Sequence, residues 1–179
     1  MKLYSFVDNH DVDRIISKIQ VKDHIFPIYT LLFTLPGIPS IYYGSEWGIE
    51  GRKEGGNDDP LRPAVEIEEA LNKEKDSKIM QHVKWLGNLH KKYTDCLAYG
   101  RYRELLLTNR QYAFVRFTQE QGLVVAVNND EQEVNISIPV PFENKRYINL
   151  ETEEQIPVEG GRICLTMKAA GSTFIEIRE

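Results

Sequence analysis

Asn9-His10-Asp11 puts an amide, an imidazole and a carboxylate on three successive residues. They follow Leu3–Val7, a short alternating run of β-formers, which reads as a strand. In a barrel of parallel strands, chemistry gathers at the carboxyl ends of the strands, where this triplet would stand. Taken alone, the triplet reads first as a polar turn whose Asp and Asn side chains bond their own backbone. The flanking Phe6, Asp8 and Arg14 weigh against a bare turn. A second polar group lies in Gly56-Asn57-Asp58-Asp59-Pro60-Leu61-Arg62-Pro63. Its Asp58, Asp59 and Arg62 can contact a ligand, or an Asp–Arg pair can simply stiffen the loop. Asn9 and Asp8 have no assigned chemistry and shape the loop.

The elements that must position these residues come in two styles. A carboxylate-rich loop, Asp8–Arg14, leads to a helix from about Lys22 to Leu35. Asp23 stands at its start, Pro27 occupies the first turn where a missing N–H costs little, and Pro36-Gly37 stops it. Ser40–Tyr43 reads as a second buried strand. Gly44–Pro63, with five glycines and two prolines, reads as a long loop of the sort that is often functional. A second helix is predicted over Ser77–Tyr93, capped by Asp76 or Ser77. Ile79, Val83, Leu86, His90 and Tyr93 form its inward stripe, and His82 faces solvent. Strand, loop and helix repeated twice make a parallel crossover pattern. Beyond Tyr99-Gly100 the period falls to two, with predicted strands at 104–107, 110–117, 123–128, 134–138, 147–150, 163–167 and 173–177. Short, evenly spaced strands with turn signals between them imply an antiparallel sandwich or barrel. The expected fold class is therefore α/β followed by all-β, divided into 1–96 and 97–179.

Composition removes several classes of function. The chain has 179 residues and a formal net charge of -5, with no basic run, so nucleic acid is not an expected partner. The longest apolar run, Ile25–Leu35, is too short to span a bilayer, so no membrane partner is expected. Cys96 and Cys164 have neither metal spacing nor a disulfide framework. His24, His82 and His90 show no metal-ligand spacing, and there is no phosphate loop, zinc motif or serine elbow. The chain opens on a strand-like run rather than a cleavable signal, and a cytoplasmic location is the expectation.

Phe6-x-x-Asn9-His10-Asp11 resembles the fourth conserved region of the α-amylase superfamily, glycoside hydrolase family 13. Leu35–Glu46 resembles the region over that family's eighth barrel strand. The loop Gly56–Pro63 resembles the one after the eighth strand in the cyclomaltodextrinase and neopullulanase branch. The resemblance implies the last two β/α units of a TIM barrel plus a C-terminal antiparallel β-sandwich. It makes Asp11 the third carboxylate of a retaining site, a transition-state stabiliser that favours ring distortion. His10 would donate to the hydroxyls of the same sugar unit. Asp58, Asp59, Arg62 and Tyr43 would contact substrate, with Glu46 and Trp47 on the rim, since aromatic rings stack on pyranose faces. The substrate implied is a maltooligosaccharide or other α-glucan. The family's nucleophile and acid/base motifs do not occur here, so the chain alone is expected to be inactive. No cofactor is expected in this chain, because the family's usual calcium site is upstream. Two parallel strands cannot close a barrel, so the isolated chain is expected to self-associate. The other reading is a non-catalytic carbohydrate-binding or scaffolding module that uses the β-domain and its aromatics.

Overall fold

The computed structural model describes residues 3–66, 68, 72 and 77–179. The chain divides into two compact units, residues 1–33 with 37–89, and residues 34–36 with 90–179.

The first unit is built on a parallel pair, β1 (Tyr4–Ser5) and β2 (Ile38–Pro39), in register Tyr4↔Ile38 and Ser5↔Pro39. The second strand was expected at Ser40–Tyr43 and lies two residues earlier. Gly37 accounts for the difference: a Cβ there would stand 2.4 Å from the Ser5 hydroxyl oxygen. A glycine at that point lets the chain join the ladder at once, with Ile38 N–H donating to Leu3 O at 2.7 Å. Tyr42-Tyr43 is thereby released into a turn. Leu3, Tyr4, Phe6 and Ile38 around this ladder are exposed apolar side chains.

Between the strands run a short helix absent from the sequence reading, α1 (Ile15–Lys18), and α2 (Ile25–Thr34), the latter preceded by a 3₁₀ turn over Lys22–His24. Pro27 does fall in the first turn of α2. The long loop after β2 folds into two further 3₁₀ turns, Ser45–Trp47 and Asp59–Leu61. Helix α3 (Lys78–Lys92) is capped by Ser77, whose hydroxyl accepts from Met80 N–H at 3.2 Å; Asp76 lies outside the described residues.

His82 does not face solvent. Its Nε2 lies 3.1 Å from Phe26 O and 3.3 Å from Thr30 Oγ1, and its ring meets Phe26 edge-on and stacks on Trp85. Residues 79, 82, 86 and 89 lie three and four apart on one helix face, which is where the buried Leu86 and Leu89 fall. Burial holds the His82 imidazole below its usual range, against the Phe26 hydrogen bond. Among the described residues, no helix is long and apolar enough to cross a membrane.

The second unit is an antiparallel sandwich. One sheet orders β3 (Arg101–Leu107), β4 (Gln111–Phe117), β5 (Gly122–Asn128), β10 (Ser172–Arg178), β7 (Arg146–Asn149) and β8 (Gln155–Ile156). The other pairs β6 (Val134–Pro139) with β9 (Arg162–Met167). The core is Ala113, Val115, Val124, Ala126 and Ile175 from the first sheet against Ile136, Ile138, Ile163, Leu165 and Met167 from the second. These are alternate residues of each strand, as the period of two requires. A π-helical turn, Asp95–Tyr99, leads into β3.

Arg116 on β4 is 2% exposed and bonds only backbone carbonyls: Nη1 donates to Thr34 O at 2.9 Å and Nη2 to Leu97 O at 2.7 Å. Beside it, burial pushes the Cys96 thiol up to about 12.

Candidate functional site

The loop after β1 is fixed from below by buried polar groups. Asp8 is 2% exposed and Arg14 is 0% exposed. Asp8 Oδ2 accepts from Ile15 N–H at 2.8 Å, which starts α1, and from the Ser45 hydroxyl at 2.8 Å. Arg14 Nη1 donates to the same hydroxyl oxygen at 3.1 Å. Ser45 therefore stands between the two charges as a bridge. Arg14 also donates to Tyr43 O at 2.7 Å and Leu61 O at 3.0 Å, and its guanidinium lies 4.2 Å from the centre of the Tyr42 ring. The loop after β1 and two separate stretches of the long loop after β2 meet on this one side chain.

Two glycines permit the approach. Gly44 takes φ +83 just before Ser45, a conformation that suits glycine. A Cβ on Gly51 would stand 2.4 Å from Pro60 O and 3.2 Å from Arg14 Cγ.

Above this base the polar groups are exposed. Asn9 makes the turn that the triplet alone suggested, its Oδ1 accepting from Asp11 N–H at 2.8 Å. The turn leaves the Asp11 carboxylate free to be held elsewhere. Arg62 Nη2 donates to Asp11 Oδ1 at 3.1 Å and to Asp58 Oδ2 at 3.2 Å, and Arg62 Nε donates to His10 O at 3.1 Å. His10 Nε2 lies 3.1 Å from Asp11 Oδ2. Lys53 Nζ pairs with Asp58 Oδ1 at 2.8 Å. That hydrogen bond, with the nearby Lys53, Arg62 and His10 charges outweighing desolvation, holds the Asp58 carboxyl below its usual range.

Four of the sequence-derived residues, His10, Asp11, Asp58 and Arg62, thus form one cluster. Tyr43 is exposed, its ring 4.7 Å from that of Tyr42 and its hydroxyl donating to Pro63 O at 2.9 Å. Asp59 is exposed and enters the loop through its backbone, its N–H donating to Asn57 Oδ1 at 2.9 Å. Glu46 and Trp47 are half-buried in the 3₁₀ turn, and burial raises the Glu46 carboxyl.

Sequence reasoning assigned nothing to Ser45 or Lys53 and counted Arg14 only as a flanking residue. One sign was available for Arg14, a cation directly before the apolar Ile15-Ile16. Among the described residues, no three His, Cys, Asp or Glu side chains are arranged to hold a metal ion.

Residues 1–101 match the family model of the alpha amylase catalytic domain, and residues 102–173 match that of the maltogenic amylase C-terminal domain. Neopullulanase 2 of Thermoactinomyces vulgaris is 28% identical over 170 residues, 93% of this chain and 28% of the relative. Cyclomaltodextrinase of Geobacillus thermopakistaniensis is 26% identical over 94% of this chain and 28% of its own length. The chain therefore spans under a third of the length of these relatives. A solved cyclomaltodextrinase structure superposes with a TM-score of 0.82 at 21% identity, over 98% of this chain and 29% of that one. The first unit is the last two β/α units of a TIM barrel, and the second is the β-sandwich that follows it. The chain belongs to the α-amylase family, glycoside hydrolase family 13, as a C-terminal part near the neopullulanase and cyclomaltodextrinase branch.

Proposed function

We propose that this chain serves as the C-terminal part of a retaining α-glucan hydrolase or transglycosylase, with Asp11 stabilising the transition state. The observation that carries this reading is the Asp11 carboxylate, held by Arg62 on one oxygen and by His10 on the other, both at 3.1 Å. An oxocarbenium-like transition state develops positive charge, and a carboxylate already fixed in place stabilises it without reorganising. His10 donates to sugar hydroxyls, and Tyr43 offers a ring face at the rim. Arg62 works through Asp11: it sets the carboxylate's orientation and is itself steadied by Asp58. The nucleophile and the acid/base, about 5–5.5 Å apart in retaining enzymes, come from barrel strands that precede this stretch in the family.

The test compares two forms of the protein. The chain alone is expected to release no reducing sugar from maltooligosaccharides. Joined to the upstream barrel of its own reading frame it should do so, and Asp11→Asn should lower kcat by about 10²-fold or more. Hydrolysis by the chain alone, or an extended enzyme indifferent to Asp11→Asn, overturns the reading. Binding of sugar by an extended protein that never hydrolyses it would favour the non-catalytic module instead.

A further inference from the structure

We infer that Lys53 is a positioning residue for the Asp11 site: by holding Asp58, it leaves Arg62 to be shared with Asp11. This role rests on the function proposed for Asp11 above and extends it to a side chain that touches neither Asp11 nor Arg62.

Local sequence puts Lys53 in place. Glu54-Gly55-Gly56-Asn57 closes on itself, with Asn57 N–H donating to Glu54 O at 2.7 Å and Glu54 N–H to Asn57 O at 3.3 Å. The two central glycines take φ +55 and +86, the positive angles that a two-residue hairpin turn of the primed type demands. Glu54 and Asn57 are therefore a facing pair. Lys53 and Asp58 stand one step further from the turn, on opposite arms. Lys53 N–H donates to Asp13 Oδ1 at 2.7 Å, which ties its arm to the loop that carries Asp11. Its Nζ then meets Asp58 Oδ1 at 2.8 Å.

The consequence falls on Arg62. One nitrogen, Nη2, serves Asp11 Oδ1 at 3.1 Å and Asp58 Oδ2 at 3.2 Å, so two carboxylates compete for it. The contest is uneven. Asp58 is 4 residues from Arg62, whereas Asp11 is 51 residues away, and the nearer partner costs less chain entropy to hold. Asp58 is also the less hydrated, its side chain 27% exposed against 57% for Asp11, with Oδ1 buried. A carboxylate poorly served by water leans harder on its ion pairs.

Lys53 answers that buried oxygen. With it in place, two cations face two carboxylates, and Arg62 stays divided between them while its Nε donates to His10 O at 3.1 Å. Without it, Asp58 draws Arg62 toward itself, and Asp11 and the His10 carbonyl lose their common holder. Charge alone predicts the opposite sign. Deleting a cation near a positively charged transition state should assist it, so a loss of activity is the mark of positioning.

Two measurements test the role. On the isotope-labelled chain alone, water exchange of the Arg62 Nε–H is followed by NMR. Lys53→Met, at an exposed position, should speed it about threefold, the worth of a surface ion pair. Adding Asp58→Asn removes the competitor and should return the parent rate. In the protein extended by its upstream barrel, Lys53→Met should lower kcat about tenfold by misplacing the carboxylate, and Lys53→Arg should restore most of it. The same Lys53→Met change in an Asp58→Asn background should have no further effect, because the two residues act as one unit. Exchange that ignores Lys53→Met, or speeds equally with Asp58→Asn present, overturns the proposal. So does a kcat that stays level, rises, or falls equally in both backgrounds. Should the extended protein prove indifferent to Asp11→Asn, the Asp11 reading fails, while the exchange rates still decide whether Lys53 governs Arg62.

Discussion

Arg14 and Arg62 hold the same loop from opposite sides, and they do so in different ways. Arg14 is fully buried, spends Nε and Nη1 on two backbone carbonyls and a serine hydroxyl, leaves Nη2 without a partner among the described residues, and reaches Asp8 through that hydroxyl. Arg62 is half-exposed, and its Nη2 is divided between two carboxylates. In the interior most of a charge's hydrogen bonds must come from the protein, because an unpaired ion there is costly. At the surface water makes up the difference, and an ion pair contributes little to stability. The buried group therefore fixes where the loop sits, and the exposed group fixes how Asp11 is presented. Burial, rather than residue type, assigns the two roles.

Substitution can take the two arginines apart. The largest effect is expected from Arg14→Met, which strands Asp8 as a buried charge with less compensation. A loss of about 3–5 kcal/mol in urea unfolding of the first unit is the expected size for breaking such an arrangement. Ser45→Ala keeps both charges and removes only the hydroxyl between them. It should cost about 1–3 kcal/mol, and a cost near zero would show that Asp8 and Arg14 do not communicate through it. Arg62→Ala should change stability by less than about 1 kcal/mol while releasing Asp11, so unfolding and sugar binding should respond in opposite proportion to Arg14→Met.

The smallest effect concerns pH. The Asp58 carboxyl is held low in the folded chain, chiefly by its Lys53 hydrogen bond. Its contribution to stability is therefore complete above the ordinary aspartate value and is lost as pH falls through the lowered one. A carboxyl-carbon titration should place the Asp58 midpoint below that of an unfolded aspartate, and Lys53→Met should move it back up.

These contrasts also mark what could be read from residues in order. Asn9-His10-Asp11 was legible because its members are adjacent and their turn chemistry is local. Asp58 and Arg62 were legible because they lie one helical turn apart in one loop. The sandwich strands were legible from their alternation, apart from the two-residue β8, which is too short to show a period. The Ser45 bridge was not legible: Arg14 and Ser45 are 31 residues apart, and only the meeting of two loops gives the hydroxyl its task. The second strand was misplaced because Ser40–Tyr43 has the apolar content of a strand, whereas Gly37 decides where the ladder starts. His82 was misplaced by one step of the helix, a shift too small for a pattern of apolar residues to resolve when the shifted residue is itself aromatic.

Arg116 has a bearing on how such chains can be recombined. Its bonds to the carbonyls of Thr34 and Leu97 tie together two stretches of the second unit, residues 34–36 and 90–179, between which more than fifty residues of the first unit intervene. No single crossover between positions 37 and 89 can transplant the sandwich with all of its own pieces. A chimera that imports residues 90–179 into a related host inherits a buried guanidinium whose partner at position 34 is the host's. Compatibility at that one carbonyl, rather than at the junction itself, would then set which hosts accept the graft.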